Sequence, residues 1–247
     1  MTRSGEASPA PAGWVAAPAR DFLSGMEACL ADGKPANALV ILFWSAVSWW
    51  IYVPAHELLH AFGCVLGGGE VTRLDISAIY GAALLKRIFP FVSVGSEYAG
   101  RLSGFSTNGS DVTYLLTDLM PFTLTVLVGI PLLKSSGSPG LSPLRRSVRF
   151  GLAMPLAYAP FISLPGDYYE MGSIVVSRSA SLLVPVGPDR WRSDDLFKLA
   201  KSLAASGAGP LDVSVVAVSF LAGIAMTYAT YGLGISWARL LLKERKR

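Results

Sequence analysis

Apolar residues are concentrated in four long blocks, which are separated by polar, glycine-rich or proline-rich stretches. In chain order the blocks cover residues 36–66, 112–133, 147–164 and 211–233, and the last can run on to Leu242. A helix of about 17 to 25 predominantly apolar residues is long enough to cross a bilayer. The pattern therefore predicts an all-α membrane protein with about four transmembrane helices.

The segments that flank the first block follow different patterns. Residues 70–76 alternate weakly between apolar and polar positions, as in a strand, so the stretch 70–94 predicts a short β-hairpin or re-entrant element. Residues 95–111 are rich in glycine and serine and predict a loop. At residues 20–31 apolar side chains recur at helical spacing, which predicts a short amphipathic helix at the membrane surface.

The chain divides into two parts on this pattern. Residues 1–35 combine the amphipathic helix with a disordered tail at 1–19, where alanine, proline, serine and glycine predominate. Residues 36–247 form a polytopic membrane domain. Within it, the polar segment 178–210 is too short for a separate recognition domain, because domains typically have about 50 or more residues.

Composition favours a membrane protein over a nucleic-acid-binding one. Hydrophobic residues make up 52% of the chain and charged residues 15%, whereas a soluble domain carries about 25% charged residues. The net charge is +4. However, the basic residues lie at the ends of the apolar blocks and in the tail at 243–247, as cations that flank membrane spans do. We therefore expect the lipid bilayer, and no nucleic acid, as a partner.

The first block contains the only two histidines of the chain, His56 and His60, in the sequence His-Glu-Leu-Leu-His. Residues four apart on an α-helix differ by about 40° in direction and about 6 Å in height, so both imidazoles can converge on one ion. A zinc ion with three protein ligands and one water is a catalytic site. Glu57 then acts as the general base, which takes a proton from the water and passes it to the leaving amine.

An accidental match to this pattern is the alternative, because the pattern fixes only three positions. Two observations count against accident. Both histidines of the chain fall in the motif. In addition, a charged side chain such as Glu57 costs about 2.5–3.5 kcal/mol at the centre of a transmembrane helix. We therefore predict zinc as the cofactor.

The third metal ligand must be an aspartate, a glutamate or a cysteine, because the chain has no further histidine. Cys64 lies about 12 Å further along a continuous helix than His56, too far for both to bind one tetrahedral ion. Asp167 follows the Pro165-Gly166 break after the third block, and irregular backbone at membrane depth is tolerated where it lines a cavity. We predict Asp167 as the third ligand, with Glu170 as the alternative.

Acidic residues inside apolar blocks also raise the alternative of an ion transporter. Asp118 lies within the second block. Its carboxylate either has a functional role or forms a structural ion pair or hydrogen bond with a nearby arginine or hydroxyl group. A transporter fits the chain less well, because such acids are few and paired broken helices are not evident.

The motif and its surroundings resemble the site-2 protease family of intramembrane zinc metallopeptidases. HELLHAFG at 56–63 is similar to that family's first motif, and GGGEVTRLDI at 67–76 is similar to its passage into a membrane-associated β-hairpin. APFISLPGDYYEMG at 159–172 stands at the place of the family's aspartate ligand, with Asp167 as the aspartate. The glycine precedes this aspartate here, whereas in the family it follows. The resemblance covers about residues 36–175.

The resemblance implies an enzyme that hydrolyses peptide bonds in or near transmembrane segments of membrane proteins, which are then its substrates and partners. Zinc would be held by His56, His60 and Asp167, and Glu57 would be the catalytic residue. We expect a multi-pass integral protein of a bacterial-type plasma membrane. A non-catalytic zinc-binding membrane regulator or chaperone on the same scaffold is the alternative, because the surroundings of Asp167 depart from the family pattern.

Overall fold

The computed structural model describes residues 12–244, which form ten α-helices and three strands joined by short turns. In chain order the helices are α1 (Ala12–Val15), α2 (Ala17–Leu30), α3 (Ala36–Leu66), α4 (Ala82–Ile88), α5 (Asp111–Leu119), α6 (Ile130–Ser136), α7 (Pro143–Ile162), α8 (Tyr169–Ser181), α9 (Leu196–Ala205) and α10 (Pro210–Glu244). The strands are β1 (Glu70–Ile76), β2 (Val92–Val94) and β3 (Gly100–Ser106).

Four helical segments of this described part are long and apolar enough to cross a membrane. They are α3, the stretch from α5 to α6 (Asp111–Ser136), the stretch from α7 to α8 (Pro143–Ser181), and most of α10 (Pro210–Leu242). Large apolar side chains remain exposed on them, such as Leu39, which is 68% exposed. Such side chains are suited to contact with lipid tails. The predicted all-α membrane fold with four spans is therefore confirmed.

Before the first span the chain forms the two helices α1 and α2, which together cover most of residues 12–30. Helix α2 covers the amphipathic helix that the spacing predicted at 20–31. Residues 12–19, which composition predicted as tail, are helical instead. They are held by burial of Ala17 and Pro18 and by the Tyr158 hydroxyl, which donates to the Pro18 carbonyl at 2.9 Å. Residues 1–11 of the predicted tail lie outside the described residues.

The first and third spans pack closely because small residues line their contact. A side-chain carbon added at Gly151 of α7 would lie 2.7 Å from the Ile41 carbonyl oxygen of α3. The Ser48 hydroxyl of α3 donates to the Leu152 carbonyl oxygen at 2.7 Å. Small and hydroxyl residues allow such close approach of membrane helices. This contact holds the histidine-bearing helix beside the span that carries Asp167.

The third span is interrupted but does not end at the Pro165-Gly166 break. A wide helical turn covers Leu164–Tyr168, in which Gly166 has the non-helical dihedral angles φ −108° and ψ −111°. The prediction that the span stops at residue 164 is therefore wrong, since α8 carries it on to Ser181. Packing explains the continuation. The backbone around Gly172 of α8 lies directly against α10, so close that a larger residue would collide with the Ser219 carbonyl.

A three-stranded sheet follows the first span, with the strand order β2-β1-β3. Strand β1 is the central strand. It pairs with β2 in parallel orientation, with α4 in the connection between them, and with β3 in antiparallel orientation. Strands are present within 70–94, where a short β-hairpin or re-entrant element was predicted, but β1 and β2 are parallel and therefore form no hairpin. However, the antiparallel partner β3 lies within 95–111, which the glycine and serine content predicted as loop. The apolar core of the sheet packs against Leu58 of α3, so the sheet is docked on the motif helix itself.

Candidate metal centre

Two imidazoles and one carboxylate converge between the first and third spans. His56 and His60 lie one turn apart on α3, both buried, with their Nε2 atoms 3.0 Å apart. Asp167 Oδ2 lies 3.4 Å from His56 Nε2, and Asp167 Oδ1 lies 3.8 Å from His60 Nε2. The donor atoms of the three residues all lie within 4.8 Å of one another, close enough to hold a metal ion.

Hydrogen bonds on the far side of each ring orient the two histidines. His60 Nδ1 lies 2.9 Å from the Thr117 carbonyl oxygen. A carbonyl only accepts, so this nitrogen carries the proton and Nε2 keeps its lone pair. His56 Nδ1 lies 2.6 Å from the Tyr52 hydroxyl oxygen. With a proton donated from His56 Nδ1 to that oxygen, both Nε2 lone pairs face the space beside Asp167.

The interruption of the third span places Asp167 in this group. Helix α7 ends at Ile162, and the non-helical backbone of Gly166 turns the chain before α8 begins. Asp167 then faces the two histidines, and its side chain is 21% exposed. Glu170, the alternative ligand, lies one turn later and outside the group of three donors. Its Oε1 instead accepts a hydrogen bond of 2.6 Å from the Tyr114 hydroxyl.

Glu57 lies against the edge of the sheet. The position of Gly100, the first residue of β3, leaves no room for a side chain, since an added carbon would lie 2.6 Å from Glu57 Cδ. Glu57 lines the same cavity as His56 and His60. Among residues 12–244 its carboxylate is held by no hydrogen bond or ion pair. The Glu57 carboxylate is therefore available to a water or substrate in the cavity.

The cavity has a volume of about 840 Å³ and is bounded by the spanning helices, by β3 and by residues 189–195. Its lining is rich in acids. Besides Asp167, the acidic lining residues are Glu57, Asp118, Glu170, Asp189, Asp194 and Asp195. The lining also contains Arg101 and Arg192. Arg101 pairs with Asp194 at 3.0 Å and Arg192 with Asp111 at 2.9 Å, so both arginines are already engaged.

Among residues 12–244, no arginine or hydroxyl group pairs with Asp118, although the sequence suggested such a pairing as one alternative. The residue is 4% exposed, and its Oδ2 is buried without a hydrogen-bond partner. It lines the cavity one turn after Tyr114 on α5. Cys64, which helix geometry excluded as a ligand, is buried where α3 meets the sheet, with its Sγ 3.7 Å from the carbonyl oxygens of Glu70 and Ser106.

Three residues that support the site, Tyr52, Tyr114 and Gly100, were not predicted from the sequence. Tyr52 precedes His56 by four residues, so helical spacing was a signal that could have identified it. The same spacing relates Tyr114 to Asp118. Gly100 gives no local signal, because its contact with Glu57 joins distant parts of the chain.

Comparison with protein families, with curated proteins and with solved structures finds no match to this chain. The resemblance of HELLHAFG to the site-2 protease family therefore stays a prediction. The division of the chain at residue 36, with a peptidase-like core at about 36–175, also stays a prediction. The function has to be inferred from the geometry of the site.

Proposed function

We propose that this chain is an intramembrane zinc metallopeptidase of the site-2 protease type. It hydrolyses peptide bonds in or near the transmembrane segments of membrane proteins. The observation that carries the proposal is the convergence of His56, His60 and Asp167 beside Glu57, in a cavity between membrane-spanning helices. The predicted location in a bacterial-type plasma membrane belongs to the same proposal.

The donor set and its spacing support zinc. Bonds of about 2.0–2.1 Å in a tetrahedral arrangement separate neighbouring ligand atoms by about 3.3 Å. The two Nε2 atoms are 3.0 Å apart, and each lies near a different oxygen of Asp167, His56 Nε2 at 3.4 Å from Oδ2 and His60 Nε2 at 3.8 Å from Oδ1, so the spacings are close to that value. Histidine nitrogens and one carboxylate oxygen form a ligand set typical of catalytic zinc. The hydrogen bonds at Nδ1 of each histidine also support a metal site, because an imidazole that binds a metal through one nitrogen usually donates the N–H of the other.

His56, His60 and Asp167 would hold the zinc, which would supply a bound water with a pKa lowered to about 7. Glu57 lines the same cavity, and its carboxylate would take a proton from such a water. It then delivers the proton to the leaving nitrogen of the cleaved bond. The balance of the reaction is one water consumed, with one carboxylate and one amine formed. Gly100 contributes by leaving the space that the Glu57 carboxyl group occupies.

The sheet offers a means of holding the substrate. Strand β3 is an edge strand, since the order is β2-β1-β3, and it lines the cavity. The unpaired backbone groups of an edge strand can pair with an extended peptide. A transmembrane helix must unwind before cleavage, because its carbonyl groups are already hydrogen-bonded. Pairing with β3 would satisfy the backbone groups that unwinding releases.

The test compares four forms of the purified protein in lipid nanodiscs: wild type, Glu57→Gln, His56→Ala and Glu27→Gln. Cleavage of synthetic single-span substrates is followed by mass spectrometry, and bound zinc by elemental analysis. We expect Glu57→Gln to retain zinc and lose about 10²- to 10⁴-fold in rate, and His56→Ala to lose both. Glu27 is exposed on α2, so Glu27→Gln serves as the matched control.

Two outcomes contradict the proposal, one its mechanism and the other the peptidase itself. An active Glu57→Gln variant contradicts the role given to Glu57. A wild type that binds zinc but cuts no substrate favours the alternative, a zinc-binding membrane regulator or chaperone.

A further inference from the structure

Asp118 places a carboxylate in the cavity without giving it a partner. The residue is 4% exposed, and its buried Oδ2 has no hydrogen-bond partner in the described part of the chain. Burial of a carboxylate costs free energy unless a cation or a donor compensates for the lost water. Protonation would lower this cost, but Oδ2 would still have no hydrogen-bond partner among residues 12–244. The metal site, as proposed, makes no use of Asp118.

Glu170 places a second carboxylate in the same part of the cavity. It is 6% exposed and accepts a hydrogen bond of 2.6 Å from Tyr114. Tyr114 and Asp118 lie four residues apart on α5 and therefore share a helix face. The Tyr114 hydroxyl is neutral, so it orients Glu170 without balancing its charge. Two acids from two different spans thus line one cavity, and among residues 12–244 neither forms an ion pair.

The two arginines that line the cavity form ion pairs with other acids. Arg101 pairs with Asp194, and Arg192 pairs with Asp111. Among the described residues, the group of three donors close enough for a metal is His56, His60 and Asp167, which includes neither Asp118 nor Glu170. Two carboxylates without a third protein donor favour an organic cation over a chelated metal ion. A cavity lined by one sign of charge concentrates ligands of the opposite sign.

We infer that Asp118 and Glu170 form a cation subsite of the cavity, which receives a lysine or arginine side chain of the substrate. The class of the occupant rests on the proposed peptidase function. An extended segment beside β3 directs successive side chains to opposite faces. One residue near the cleaved bond then points between α5 and α8, where Asp118 and Glu170 lie. The subsite selects substrates with a basic residue at that position.

Binding is measured with the full chain carrying Glu57→Gln, loaded with zinc in nanodiscs, so that no cleavage is needed. The probes are synthetic single-span peptides with a short unwound glycine-serine segment. One lysine is moved through this segment position by position, and each peptide is paired with a norleucine counterpart. At one position we expect the lysine peptide to bind on the order of 10- to 100-fold more tightly, as for a charged hydrogen bond.

Asp118→Asn in this background should remove most of the preference for lysine, and Glu170→Gln should reduce it. Asp189→Asn is the matched control, because it removes one acidic charge at an exposed position of the cavity lining. It should leave most of the preference intact. The zinc content of each variant reports whether its fold is retained, and Glu170→Gln provides a second test if Asp118→Asn does not fold.

Equal affinity for both peptides at every position, including no binding of either, overturns the subsite. A lysine preference that survives both Asp118→Asn and Glu170→Gln overturns it as well. The proposed peptidase fails in a different way. If the preference follows Asp118 but the wild-type protein cuts none of these peptides, the subsite stands and the peptidase does not.

Discussion

The carboxyl group of Glu57 lies against the backbone of Gly100, so the first span and the third strand share one wall of the site. Any side chain at residue 100 would compete with Glu57 for the same space. A displacement of about 1 Å in a reacting group can lower a rate about 100-fold. We therefore expect Gly100→Val to reduce cleavage by about that factor while zinc content stays unchanged.

The matched control for this substitution is Gly187→Val. Gly187 has open space around it, and its φ of −63° is one that any residue adopts. Cleavage by the Gly187 variant should equal that of the wild type. Unchanged cleavage by Gly100→Val would show that the position of Glu57 does not matter.

Tyr52 is expected to strengthen metal binding through His56, whose Nδ1 it contacts at 2.6 Å. Loss of such an outer hydrogen-bond partner typically lowers metal affinity about 10- to 100-fold. Tyr52→Phe should therefore weaken zinc binding by that factor in a competition titration with a chelator. Tyr228→Phe, at a residue that packs against Trp14 and Phe161, is the control. Equal zinc affinity in all three proteins would mean that Tyr52 does not support the site.

Removal of zinc should abolish cleavage without unfolding the spans. The first and third spans are also joined by contacts away from the metal ligands, such as that between Ser48 and Leu152. Treatment with 1,10-phenanthroline should therefore stop cleavage and leave the helical circular dichroism unchanged, and added zinc should restore activity. Cleavage that continues after complete removal of metal would exclude a metallopeptidase.

The close packing of Gly151 against Ile41 predicts a loss of stability when residue 151 is enlarged. Overpacking of a tight contact costs about 1–3 kcal/mol. Gly151→Ala should lower the midpoint of thermal unfolding in nanodiscs. Gly137→Ala is the control, because the nearest atom to an added carbon there lies at 3.8 Å. Equal midpoints for both variants would show that the contact is not tight in the membrane.

The four spans and the histidine motif could be predicted from the sequence because each depends on local spacing. Long apolar runs set the spans, and two histidines four residues apart on a helix must share a face. The continuation of the third span past Pro165 was not predictable in this way. Proline and glycine usually end a helix, and here the contact of Gly172 with α10, a distant segment, sustains it.

The sequence alone could not show which of Asp167 and Glu170 lies beside the two histidines, because this depends on the fold. On a regular helix, residues three apart share a face, so both acids were candidates. The non-helical Gly166 turns Asp167 toward the histidines, while Glu170 meets Tyr114 of the second span. Strand β3 was missed for a similar reason. Its glycine-rich sequence predicts a loop, and only pairing with β1 makes it a strand.

The most direct test of the account is the zinc content of wild type, His60→Ala, Asp167→Asn and Glu170→Gln, purified under identical conditions with zinc supplied. We predict about one zinc per chain in the wild type and in Glu170→Gln, and little or none in the other two. Zinc that is retained by Asp167→Asn but lost from Glu170→Gln would contradict the ligand set proposed here. A folded wild type that binds no zinc would contradict the metallopeptidase altogether.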